Sequence, residues 1–178
     1  ELWARFKRAS TSINKRHHNY IGTLREQEEE NLKEKTSLCE TVEGIVYDDL
    51  KSFKDWEKKT QEVLDLQQKW RTIGFASKKK NTKIFERFRK ACDEYFQRRS
   101  EFLRNTKKEA EANYQLKKVL AEKAEALKES TDWKETTRAM IKLQEEWKKI
   151  GPVSRKQSDA IWKRFIKACD YFFEQKNK

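Results

Sequence analysis

Apolar and aromatic residues recur along this chain in steps of three and four, with charged residues filling the intervals. One run contains Ile84, Phe88, Cys92, Tyr95, Phe96, Arg99 and Phe102, which share one side of a helix at about 100° per residue. Lys79, Lys80, Lys83, Arg87, Lys90 and Arg98 fall on the other side, interrupted by Glu94. Ile161, Phe165, Cys169, Phe172 and Phe173 repeat the apolar set. Stripes of this kind predict helices packed on one another rather than a ligand box, and the tryptophans read as core in the same way.

The stripes belong to an internal repeat. Trp56 and Trp133, Trp70 and Trp147, Gly74 and Gly151, Arg87 and Arg164, and Cys92 and Cys169 are each 77 residues apart. Upstream of these the offset becomes 82, which pairs Leu38–Glu43 with Leu120–Glu125 and Trp3 with Phe85. The middle repeat therefore carries an insertion near 44–54. We expect the C-terminal helix of a truncated upstream repeat over 1–31, then three-helix repeats over 32–105 and 106–178.

Within the last repeat, helix one is expected over about 106–129 and helix two over Trp133–Ile150, opened by a capping box of Asp132 with Glu135. Gly151 is placed for a left-handed C-cap, Pro152 blocks continuation, and Ser154 with Gln157 offers a second capping box into helix three. No Gly or Pro interrupts Ser77–Glu129, which predicts one helix of about 75 Å at 1.5 Å per residue. Glu1–Asp49 should form a similar helix, with Gly22 and Gly44 as weak points. The expected fold is all-α: elongated tandem three-helix-bundle repeats sharing long continuous helices, each bundle leaning on the next.

Composition agrees with a thin helical body. Hydrophobic residues make up 35% and charged residues 40%, against the ~45–50% and ~25% usual in a compact globule. Six Trp, five Tyr and ten Phe at helical spacing argue against a disordered chain. The three cysteines have no paired spacing, and Cys92 and Cys169 at one repeat position read as small core hydrophobes in a reducing compartment. No signal peptide and no apolar run near the ~20 residues of a membrane span is present. A start at Glu1, inside a repeat, reads as a fragment of a longer protein.

Three motifs in order carry a family resemblance. They are Asp132-Trp133, then Leu143 to Trp147 through Ile150-Gly151-Pro152-Val153, then Trp162, Arg164-Phe165, Ala168-Cys169-Asp170 and Phe172-Phe173. The set resembles the bacterial domain-of-unknown-function 349 repeat, closely over 116–173. It resembles it well over 32–102 from Trp56 onward, with departures at 44–54, Phe75 and Phe85. Residues 1–9 resemble the end of the pattern. The resemblance implies a helical-repeat, cytoplasmic bacterial protein and no particular activity.

Chemistry-bearing constellations are few. His17 and His18 are adjacent, so on a helix their side chains diverge by about 100° and do not share a metal site. Acidic pairs such as Glu145-Glu146 sit among other charges, with nothing to perturb them. These features predict a protein that is not an enzyme and uses no cofactor or metal.

Charge is the positive signal. The total is +12, distributed as +5 over 1–25, −6 over 26–62, +9 over 63–108, −2 over 109–135 and +6 over 136–178. A basic pair keeps its register at Arg5/Arg8, Arg87/Lys90 and Arg164/Lys167. Two readings compete. In one, the surface is merely solvated, with Arg87 and Arg164 covering the core edge or pairing with acids on helix one. In the other, a basic ridge meets RNA or DNA phosphates without base readout. Its densest patch is then Lys79, Lys80, Lys83, Arg87 and Lys90, extended by Arg5, Arg8, Arg16, Arg164 and Lys167. A protein-interaction scaffold is the alternative function, since Leu2, Trp3 and Phe6 need a covering helix from upstream or from another chain.

Overall fold

A computed structural model describes residues 1–178 and contains helices and no strands. Helix α1 covers Leu2–Glu43 and α2 covers Phe53–Thr72, with a 3-10 turn at Tyr47–Asp49 between them. Helix α3 covers Lys78–Leu127, α4 covers Trp133–Lys149 and α5 covers Arg155–Asn177. The 50-residue α3 is unbroken, as the lack of Gly and Pro requires. Helix α1 passes through Gly22 intact but stops at Glu43, short of the expected Asp49. No helix is long and apolar enough to cross a membrane. The chain divides into two compact units, Glu1–Ser100 and Glu101–Lys178.

In the first unit, the stripe on α3 packs under α1 and α2. Leu38, Cys39 and Val42 of α1, Trp56 and Val63 of α2, and Ile84, Phe88, Cys92 and Tyr95 of α3 are all buried. In the second unit, Leu120, Ala121 and Ala124 meet Met140, Leu143 and Trp147 of α4 and Ile161, Phe165, Cys169 and Phe172 of α5. Each unit closes on the same ring pair: Trp70 stacks on Phe88 at 4.3 Å and 6°, Trp147 on Phe165 at 4.3 Å and 7°. A lysine from helix one lies over the tryptophan in both, Lys35 at 5.0 Å and Lys117 at 5.1 Å. Such cation–π contacts are strengthened where the cation is desolvated. Lys35 is 4% exposed, and burial lowers its pKa. Its ammonium donates to Asn81 Oδ1 at 3.0 Å.

The turn after helix two differs from expectation. No residue has positive φ, so Gly151 is not a left-handed cap. Helix α4 instead ends by stepping into extended backbone at Ile150 (φ −79°, ψ 135°), and α2 does the same at Ile73 (φ −84°, ψ 133°). Glycine here leaves room for an asparagine side chain of helix one. A Cβ on Gly74 would lie 2.8 Å from Asn31 Nδ2, and one on Gly151 would lie 2.9 Å from Asn113 Nδ2. Those amides donate to the carbonyls of Phe75 and Pro152, each at 2.9 Å. Because a backbone carbonyl accepts, Phe75 can stand where the other repeat has Pro152.

Helix starts also differ. Asp132 accepts from the Glu135 amide at 3.3 Å, but its own amide donates to Ser130 Oγ, so the capping box is half-formed. Ser154 donates its hydroxyl to the Gln157 side chain at 3.2 Å and caps no amide. The full capping box is Ser52 with Asp55, at the end of the insertion. That insertion also seals the core. Tyr47 lies 6.1 Å from Trp56 and 6.4 Å from Tyr95, and the Leu50 carbonyl accepts the Trp56 indole at 3.1 Å. Trp56 is 4% exposed, whereas its repeat counterpart Trp133, beside the shorter Lys128–Asp132 connection, is 38% exposed.

The Gly–Asn contact predicts coupling. Gly151→Ala should cost about 1–2 kcal/mol by overpacking against Asn113, and less than about 0.5 kcal/mol in an Asn113→Ala background, measured by urea unfolding. Cys39 predicts a pH dependence. Burial pushes its thiol up to about 11 from 9.0. The native state thus keeps a proton that the unfolded chain loses, a contribution complete below pH 9 and lost as pH rises through 11. At about 1.36 kcal/mol per unit this is about 2–3 kcal/mol. The urea midpoint should fall across that window, and Cys39→Ala should flatten the slope.

Candidate nucleic-acid interface

The basic residues proposed to meet phosphate are carried mainly on the outer flank of α3. Because Ile84, Phe88 and Cys92 turn inward, Lys79, Lys80, Lys83, Arg87 and Lys90 are left exposed. Lys83, Arg87 and Lys90 line one open groove, but Glu43, Glu86 and Glu94 line it with them. Lys80 lines another, with Arg25, Glu28 and Glu29 of α1. Arg5, Arg8 and Arg16 are exposed on the N-terminal part of α1, and Lys167 is exposed on α5. Arg164 is half-buried on α5.

Two of these cations are already engaged. Arg87 donates from Nε to Glu43 Oε1 at 3.0 Å and from Nη2 to the same oxygen at 2.7 Å. Arg164 donates from Nε to Glu125 Oε1 at 2.8 Å, with Nη2 2.7 Å away. In each case the carboxylate hydrogen bond pushes the guanidinium pKa further up. Glu43 and Glu125 occupy one repeat position on helix one. The pairs are therefore a repeated brace between helix one and helix three. Lys79, Lys80, Lys83, Lys90 and Lys167 form no such brace.

The sequence profile of the family described as Domain of Unknown Function (DUF349) matches residues 1–79 and again residues 83–156. The chain belongs to that family. No curated protein and no solved structure matches it.

Each DUF349 match opens at the register of helix three, just before Leu2 or Ile84, and ends just past the glycine turn. It therefore contains one Asn–Gly contact and one tryptophan of the helix-two stack, Trp70 or Trp147. Asn31 and Asn113 went unread in the sequence, although the 82-residue offset pairs them. The tryptophans are not uniformly core as expected. Trp56 and Trp147 are buried, but Trp3 is 72% and Trp162 46% exposed. Phe85, at the register of Trp162, lines a groove with Arg71, Arg89 and Asp93.

The cysteines are unpaired and buried. Burial raises the thiol pKa of Cys39, Cys92 and Cys169, which keeps them protonated and weakly nucleophilic. Arg98 lies 4.3 Å from the Tyr47 ring, so it too serves the insertion.

The Arg87–Glu43 brace predicts a charge-swap rescue. Arg87→Glu should lower the melting temperature by setting like charges together, and Glu43→Arg in the same chain should restore most of the loss. Thermal unfolding by circular dichroism measures both.

Proposed function

We propose that this DUF349 chain is a non-enzymatic binding protein that contacts RNA or DNA phosphates through the outer flank of helix three. The observation that carries the reading is the row of exposed lysines on α3, at Lys79, Lys80, Lys83 and Lys90, in a segment of net charge +9 over 63–108. Arg8 and Arg16 of α1 and Lys167 of α5 are further candidates, together with Arg5, Arg87 and Arg164. The affinity arises from release of condensed counterions as lysines neutralise phosphates, and carries no base specificity. Glu43, Glu86 and Glu94 moderate it, so contact is concentrated on the ammoniums outside that groove and on the two lysines at its rim. Protonated, buried thiols support a binding role over catalysis. A protein-interaction scaffold is the second reading, favoured by the exposed apolar residues Leu2, Trp3 and Phe6.

Fluorescence anisotropy of labelled single-stranded RNA, duplex RNA and duplex DNA tests the proposal. Six phosphate contacts predict a loss of about 10³-fold in affinity between about 50 and 200 mM salt. Glu at positions 79, 80, 83 and 90 together should abolish binding with helicity unchanged. Arg87 is left intact in this variant, because removing it breaks the brace to Glu43. Absence of binding at 50 mM salt, or binding that the four substitutions leave unchanged, overturns the proposal.

A further inference from the structure

The N-terminal half of α1 presents an apolar face that nothing covers. Leu2 is 84%, Trp3 72%, Phe6 63% and Ile13 65% exposed, and Trp3 lies against Phe6 at 5.7 Å. Apolar patches beyond a few hundred Å² mark interaction sites. The repeat register identifies what fits this one. Leu2, Arg5, Phe6 and Ile13 stand 82 residues before Ile84, Arg87, Phe88 and Tyr95.

Those four residues of α3 are covered by a helix pair. Glu43 binds Arg87 at 2.7 Å, and Trp70 stacks on Phe88 at 4.3 Å. The Ile84 carbonyl accepts the Cys39 thiol at 3.7 Å, and the Tyr95 hydroxyl meets Thr60 at 2.7 Å. Helix α5 is covered in the same way, by Glu125 on Arg164 at 2.7 Å and Trp147 on Phe165 at 4.3 Å. Two examples in one chain thus define the complement of this face.

Charge narrows the occupant further. Residues 1–25 carry +5, so two such faces brought together would repel. The segment that covers α3, 26–62, carries −6. We propose that the Leu2–Ile13 face of α1 docks an acidic helical hairpin of the repeat's own chemistry. Its first helix carries Asn, Lys and Glu at the spacing of Asn31, Lys35 and Glu43. Its second helix carries the tryptophan that stacks on Phe6. The hairpin's glutamate takes Arg5, as Glu43 takes Arg87. Arg8 stays outward like Lys90, so this surface and the phosphate contacts coexist on one helix.

The test adds a fluorescein-labelled peptide of residues 26–75, the acidic hairpin of the first unit, to the full 178-residue chain and reads anisotropy. The expected result is saturable binding, weakened at least tenfold by Phe6→Ala or Arg5→Glu in the chain and by Trp70→Ala in the peptide. A second chain, with residues 24–83 duplicated immediately before Leu2, supplies the hairpin in register without relying on a free peptide. Amide exchange over 2–24 should slow at least tenfold there, and Phe6→Ala should reverse it. Protection in the duplicated chain sustains the proposal whether or not the peptide binds alone. Unchanged exchange over 2–24 overturns it, as does self-association through this face that the peptide does not compete.

Discussion

The interaction on which each unit depends is the flat stack of a helix-two tryptophan on a helix-three phenylalanine. Trp70 on Phe88 and Trp147 on Phe165 share one separation, 4.3 Å, and nearly one angle. Aromatic pairs add about 0.5–1.5 kcal/mol beyond the area they bury. The larger consequence here is geometric. The tryptophan lies two residues before the last residue of its helix, so the stack fixes where the chain must turn. The Asn amide then holds the turn by its carbonyl, and glycine leaves room for the amide. Helix one supplies both that asparagine and the lysine over the indole, so all three helices meet at one ring.

Much of this was legible from spacing alone. The 77- and 82-residue offsets located the repeats, and the Ile84–Phe88–Cys92–Tyr95 stripe named the core of helix three. The unbroken α3 followed from the lack of Gly and Pro. What failed depended on partners distant in sequence. Gly151 looked like a left-handed cap because local rules reward glycine at a helix end. Its actual constraint comes from Asn113, 38 residues earlier. Ser154 and Gln157 had capping-box spacing, yet their side chains bond each other. Tyr47 carried no periodic signal, because it lies in an insertion outside the α-helices whose effect is to cover Trp56 and Tyr95.

Electrostatics were legible in outline and not in detail. Net charge by segment placed basic residues on helix three and acidic ones on helix one. Whether a given arginine braces the bundle or faces solvent depends on which turn of helix one lies opposite. Glu43 and Glu125 settle that for Arg87 and Arg164. The same acid-base division serves packing first, since it sets opposite charges along the flank where the two helices meet.

The conserved-register basic pair therefore splits into two roles within one turn of helix. Arg87 lies at the edge of the apolar stripe, next to Phe88, where its fork reaches a helix-one carboxylate. Lys90 is three residues on, about 300° around the axis, and lines the same groove as Glu43 without bracing to it. Arginine suits the first position because its planar fork grips one carboxylate with two donors. The second position asks only for a positive charge in water, and the repeat fills it with Arg8, Lys90 or Lys167. Arg5, which occupies the bracing register without a brace, is the exception. That asymmetry separates the charge that holds the bundle together from the charge left in solvent.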